Sequence, residues 1–231
     1  MSHRKTVLLG LDSSVSPLLV AACKDDKTAT CRRSGIKQER LLFPAVHRVL
    51  DKVEGTLQDV SRVFIVRGPG RFTGIRIALT FASMLKYLNQ AEVYGATVFE
   101  ILNYQVKNSR AFQTWNAAHA QGALGIVLHA FRQEYFLQIF DAENSAPLWL
   151  SYEELTKRLA GYKAPLFLAG TGAGKAPLDS FLKGPYTFAP HKDCVVQPKT
   201  LLTLCAQGTW QEQALEPLYL KPARFEQEQP K

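Results

Sequence analysis

Three strand-length apolar runs precede any helical pattern in this chain, and that order restricts the fold more than any other feature. Residues 6–11 and 17–23 are rich in strand formers and are separated by a serine-rich turn at 13–16. A third run, 28–32, follows the charged turn 24–27, so the chain is expected to open with three consecutive antiparallel strands. The hydrophobic period then becomes helical. Leu41, Leu42, Ala45, Val46, Val49, Leu50 and Val53 share one broad face, while Arg40, His47, Arg48, Asp51 and Lys52 lie off it. Pro44 suits only a first turn, which places the helix start at about 39–42.

The alternation continues along the chain. A strand at 63–66 meets a glycine break at 68–70, and a second amphipathic helix is expected over 72–88 with Ile75, Ala78, Leu79, Ala82, Leu85 and Leu88 on its apolar face. A strand at 92–94 and a helix at 97–106 complete a βββαβαβα lobe. The second half repeats the theme: strands at 124–129, 135–140 and 148–150, a helix at 152–159, a buried strand at 165–169 and a glycine turn at 171–175. A helical stretch at 199–207 and an extended segment at 217–220 follow. The reading is an α/β chain of two duplicated lobes of mixed sheet with flanking helices. Residues 1–108 form the first lobe and 109–197 the second, and 198–231 is expected to pack back on the first. Residues 109–121 connect the lobes, with Phe112 and Trp115 marking that connection as packed.

A chain of 231 residues can bury a core without cross-links, and 46% hydrophobic with 21% charged residues is a globular composition. The net charge of +8 favours approach to an anionic partner through a diffuse field. No run of five basic residues occurs, and aromatics do not interleave with Lys and Arg, so the sequence carries no signature of autonomous nucleic-acid binding. Cys23, Cys31, Cys194 and Cys205 are too widely spaced for a zinc ribbon and read as reduced thiols. Neither a signal peptide nor a membrane span is legible at the N-terminus, which makes the cytoplasm the expected location.

Three motifs could carry chemistry. Asp12-Ser13-Ser14 follows the first strand, where hydroxyls could donate to phosphate and the carboxylate could hold a metal-bound water; an ordinary Asx or Ser turn is the plainer reading. In GPGRFTGIRIA, residues 68–78, Gly68 and Gly70 permit unusual backbone angles, and Thr73 or Gly74 leads into a helix whose amides could face an anion; a ligand-free strand-to-helix turn accounts for it equally. AGTGAGKA, residues 169–176, is neither a P-loop nor a dinucleotide fingerprint, because Ala169 and Ala176 stand where Gly and Ser or Thr are needed and Gly170, Gly172 and Gly174 alternate. It remains a close-approach turn, suited to a base or ribose or to packing. The five histidines include no pair at helical ligand spacing, and no GxSxG elbow exists, so neither a metalloprotease nor a serine hydrolase is supported.

GPGRFTGIRIA closely resembles the GPGSFTGLRIG stretch of the TsaB (YeaZ) family. VLLGLDSS (7–14), ERLLFPAVHRVL (39–50), HAFRQEYFLQIF (129–140) and EPLYLKP (216–222) are similar, in order, to that family's first strand and turn, ERLLP helix, DARRGEVYWALF-type strand pair and closing PxYLR. The resemblance implies an actin-like ATPase and sugar-kinase (ASKHA, ribonuclease-H-like) fold and a place in making threonylcarbamoyladenosine on tRNA. It implies a non-catalytic scaffold or activator, with the chemistry in a TsaD-like paralogue and a TsaE-like ATPase binding the pair. No tightly bound cofactor is expected; the complex interface is a candidate place for ATP or ADP, tRNA is reached through the complex, and both a homodimer and a monomer are open for the chain in isolation.

The family's first two helices dock on the paralogue, which transfers here to Leu41, Leu42, Ala45, Val49, Ile75, Ala78, Leu79, Ala82 and Leu85; the rival reading makes both stripes internal core. Asp12, Ser13, Ser14, Gly68, Gly70, Thr73, Gly172 and Gly174 are the candidate nucleotide or phosphate contacts. Catalytic and metal-ligating residues are expected to be none. Arg71 stands where the family has Ser, Gln38 where His is common, and Leu128-His129 where Asp-Ala is common. An independent ATP-binding kinase or ATPase on the same fold is the competing function, and it lacks a clear general base.

Overall fold

The computed structural model describes residues 6–35, 37–141, 145–174, 186–208, 210 and 215–221. Lys175 and Ala176 of the glycine turn, Pro222 of the closing motif and the polar tail 225–231 lie outside them. The chain divides into two compact units, Met1–Ile101 with Val196–Leu218, and Leu102–Val195 with Tyr219–Lys231.

In the first unit β1 (Val7–Asp12), β2 (Leu18–Lys24), β3 (Lys27–Arg33), β4 (Val60–Val66) and β5 (Glu92–Ala96) form one sheet in the order β3-β2-β1-β4-β5. β1, β2 and β3 pair antiparallel, whereas β4 and β5 join in parallel through helical crossovers. Val7, Leu9 and Leu11 alternate along β1 toward α1 (Gln38–Lys52) and α2 (Phe72–Asn89), and this face closes over Leu42, Ala45, Val49, Ile75, Ala78 and Leu85. On the opposite face Gly10 admits the last helix, α6 (Pro198–Gln207): a methyl at Gly10 would lie 2.8 Å from Leu201 Cβ. Only a residue without Cβ lets that helix approach so closely.

α1 begins at Gln38, earlier than expected, and Pro44 sits in its second turn. The first turn closes tightly, Arg40 N–H donating to Lys37 O at 3.1 Å in an i to i−3 pattern. α3 (Val98–Lys107) starts at a reciprocal cap: Thr97 N–H and Oγ1 donate to Glu100 Oε2 at 2.7 and 2.8 Å, and Glu100 N–H returns a bond to Thr97 Oγ1 at 3.1 Å.

The second unit repeats the plan. β6 (Ala123–His129), β7 (Glu134–Phe140), β8 (Leu148–Ser151), β9 (Leu166–Ala169) and β10 (Tyr186–Phe188) lie in the order β8-β7-β6-β9-β10, with the strand senses of the first sheet. α5 (Tyr152–Ala160) covers one face through Leu155 and Leu159. Residues 109–121, expected as a connection, contain instead a helix, α4 (Arg110–Ala118), capped by Ser109 Oγ accepting from Phe112 N–H at 3.2 Å. Phe112 and Trp115 pack on Phe167 with ring centroids 5.3 Å away in each case. Two aromatic anchors three residues apart hold this helix, and so sparse a stripe gives little periodic signal. The three-residue β10 was also unforeseen, being too short to alternate.

Candidate functional site

The serine turn and the GPGRFTG loop meet in the first unit. Ser14 N–H and Oγ both donate to Asp12 Oδ1, at 3.0 and 2.6 Å, and Ser13 Oγ donates to Gly74 O at 2.7 Å. Arg71 N–H, at the start of α2, donates to Ser14 O at 2.7 Å. Gln38 Nε2 donates to Val15 O at 2.8 Å. The two loops touch backbone to backbone. A methyl at Gly70 would stand 2.8 Å from Ser14 Cβ and closer still to its carbonyl oxygen, and one at Gly74 would collide with Ser13 O and Gln38 Oε1. Gly68 adopts φ +117°, its carbonyl accepts from Val98 N–H at 2.7 Å, and Leu218 N–H donates to Arg67 O at 2.8 Å, so the closing segment lies against the same loop.

This arrangement differs from a phosphate cradle. Asp12, Ser13 and Ser14 are buried, and the hydroxyls that could meet phosphate are spent on Asp12 and Gly74. An amide at the α2 N-terminus, where an anion would be favoured, is taken by a carbonyl. No phosphate fits between Ser14 and Gly70, and Thr73, on the exposed side, stands apart from them. Burial pushes the Asp12 carboxyl above its ordinary pKa, opposed by the two Ser14 hydrogen bonds and by Arg32.

Gly172 and Gly174 are in the other unit. Gly172 N–H donates to Val127 O at 2.9 Å, and a methyl there would lie 2.9 Å from Val127 Cγ1. Gly174 takes φ +63°, and a methyl there would meet Phe188 Cδ1 at an ordinary 3.9 Å. The turn thus packs on the end of β6, and Thr171 Oγ1 accepts from His129 N–H at 3.2 Å.

The residues expected to dock a partner are placed inside the chain. Leu42, Ala45, Val49, Ile75, Ala78, Leu79, Ala82 and Leu85 are all buried in the first unit's own core, and Leu41 is half-buried against Gly35. The stripe that a helical period reveals is the stripe facing the sheet, so it is not available to another molecule. What remains outward is a different row. Phe43 is 44% exposed on α1, and Tyr87 and Leu88 are 81% and 65% exposed on α2; Leu88 was expected on the inner face. Phe43 leans edge-on against Phe81 with centroids 5.4 Å apart, and half-buried Ile77 and Met84 border the same side of α2. Arg40, His47, Arg48 and Arg76 are exposed on the outer surfaces of these helices. Sequence reasoning missed Phe43 and Tyr87, although both are large apolar side chains off the main stripe, which was the available signal.

Among the described residues no group of three or more His, Cys, Asp or Glu could hold a metal ion, and no helix is long and apolar enough to cross a membrane. Burial pushes the Cys205 thiol up to about 12 and also raises Cys194 and Cys23, the reverse of what activates a thiol nucleophile.

Two five-stranded sheets of one topology, each beginning with three antiparallel strands and continuing in parallel, define a duplicated α/β protein whose serine turn and glycine loop are packed against each other. The comparisons narrow this. The family model described as TsaD, tRNA N6-adenosine threonylcarbamoyltransferase, matches residues 36–119. The tRNA threonylcarbamoyladenosine biosynthesis protein TsaB of Bacillus subtilis (strain 168) is 24% identical over 139 residues, 59% of this chain and 56% of that protein, so the match spans little more than half of the relative. TsaB of Buchnera aphidicola subsp. Schizaphis graminum (strain Sg) is 24% identical over 186 residues, 77% of this chain and 84% of that protein. YeaZ from Pseudomonas aeruginosa has the same fold, with a TM-score of 0.65 at 22% identity over 93% of this chain and 100% of that one. Together these matches make the chain similar to TsaB (YeaZ) proteins in sequence and in fold.

Proposed function

We propose that this chain serves tRNA threonylcarbamoyladenosine biosynthesis as a non-catalytic subunit, docking a TsaD-like enzyme through the outer faces of α1 and α2. The observation that carries the reading is the row of Phe43, Tyr87 and Leu88, left exposed after each helix has buried its inner stripe. Apolar side chains clustered on neighbouring helices are the material of an interface core, and the flanking cations suit a polar rim. The segment resembling the TsaD family, 36–119, holds both helices, so a related partner would bring a similar helix pair to meet them.

In this reading the reacting groups belong to the partner, and a TsaE-like ATPase and the tRNA join through the complex in the cytoplasm. Because Ser14 and Gly70 meet in a closed contact, nucleotide in this reading is held by the partner. In isolation the same outward row would pair two copies of the chain. Co-expression with the cognate TsaD-like enzyme followed by size-exclusion chromatography tests the reading, and one stable complex is expected. Separate elution of the two chains at micromolar concentration, or threonylcarbamoyl transfer or steady MgATP turnover by this chain alone, would overturn it.

A further inference from the structure

A second exposed surface lies in the other unit. β6 and β7 are joined at 130–133, where Arg132 adopts φ +52° although it is not glycine. The turn is held on both sides: Glu134 N–H donates to Phe131 O at 2.9 Å, and His129 Nε2 donates to Arg132 O at 2.9 Å. It presents Phe131, 61% exposed, with the Arg132 guanidinium 5.2 Å from the ring centroid. A second pair of the same kind stands beside β7. Trp149 is 37% exposed, and Lys221 Nζ lies 5.3 Å from its ring centroid. Lys221 also binds both carboxylate oxygens of Glu134, at 2.8 and 2.6 Å, which ties this pair to the base of the turn.

We infer that this surface binds single-stranded nucleic acid, bases stacking on Phe131 and Trp149 and phosphates meeting Arg132 and Lys221. Aromatic faces accept any unpaired base, and a cation next to each ring supplies both a stacking partner and a phosphate contact. Duplexes hide their base faces and cannot use the rings. A protein partner fits less well, because a stable interface buries on the order of 800 Å² per side, and the surface beside Trp149 carries the Glu134–Lys221 ion pair. The left-handed Arg132 has a local strain cost that the His129 bond maintains, as is common where a side chain must be aimed outward. No linear signature exists, since the surface is assembled from three separate stretches of chain.

Fluorescence anisotropy of the full chain with a fluorescein-labelled single-stranded RNA of about 17 nucleotides, at low and physiological salt, tests this. Phe131→Ala and Trp149→Ala should each weaken binding about tenfold, and Phe131→Tyr should bind as the unmodified chain does. Arg132→Ala should weaken binding and lower the salt slope by about one. The same RNA annealed into a duplex should bind more weakly. Equal affinity for single strand and duplex, an unchanged Kd in Phe131→Ala with an unchanged circular dichroism spectrum, or capture of an acidic protein but not RNA would overturn the inference. It stands apart from enzyme docking: loss of the complex with RNA binding retained would sink the reading of α1 and α2 alone, and the reverse result would sink this one alone.

Discussion

At Gly74 one hydrogen atom in place of a side chain decides whether the two loops of the first unit can close. A methyl there meets Ser13 O and Gln38 Oε1, neither of which can retreat without breaking the Ser13–Gly74 and Gln38–Val15 hydrogen bonds. Gly74→Ala is therefore expected to cost about 3 kcal/mol, read as a lower urea midpoint at unchanged slope. Asp12 makes a separate prediction. Its folded pKa is raised by burial, so it holds its proton more tightly folded than unfolded. Its contribution is fully present below the ordinary carboxylate pKa and is lost as pH rises through the folded value. Asp12→Asn keeps an oxygen for the two Ser14 donors and has no proton to lose. The variant's stability relative to the unmodified chain should thus improve as pH goes from about 4 to 7, measured by urea unfolding at each pH, and an opposite slope would mean that the hydrogen bonds outweigh desolvation.

Each of the first two helices has two jobs on two faces, and substitutions should separate them. Ala45 and Ala82 have no exposed surface. Ala82→Glu would bury an unpaired carboxylate against the sheet, so unfolding of the chain is expected, not selective loss of a partner. Leu88→Asp and Phe43→Asp, by contrast, should leave the melting temperature within a few degrees and weaken the enzyme complex at least tenfold, about 1.4 kcal/mol. Thermal melts and size-exclusion binding on the same variants make the comparison. Both helices were legible in the sequence within one or two residues of their ends, because their inner stripes repeat strongly. Which face a partner could reach was not legible. An apolar stripe looks the same whether a sheet or a second protein covers it, and only the packed structure shows that the sheet already does.

The whole molecule applies one strand order twice, yet its first unit is not continuous in sequence. Residues 6–101 form the sheet with α1 and α2, and α6 returns from beyond residue 196 to cover the other face. Leu201, Leu204 and Cys205 are fully buried there. Ending the chain at Val195 should therefore expose the α6 face of β1, β2 and β4 and abolish cooperative unfolding of the first unit, observed as aggregation or a missing calorimetric transition. A truncated chain with an intact first transition would show that α6 is dispensable. Of the two cation and aromatic pairs, Arg132 is next to Phe131 in sequence, whereas Lys221 is 72 residues from Trp149 and only the tertiary structure joins them.

By itself the sequence determined the succession of strands and helices apart from α4 and β10, the duplicated plan and the family resemblance, because periodicity and glycine placement are local and survive without knowledge of neighbours. The tertiary structure alone decided which side of each helix stays exposed, that Ser14 and Gly70 pack against each other, and that Lys221 sits over the ring of Trp149. Those outcomes depend on distances between segments far apart in the chain, where a few ångströms separate a binding cradle from a packed contact.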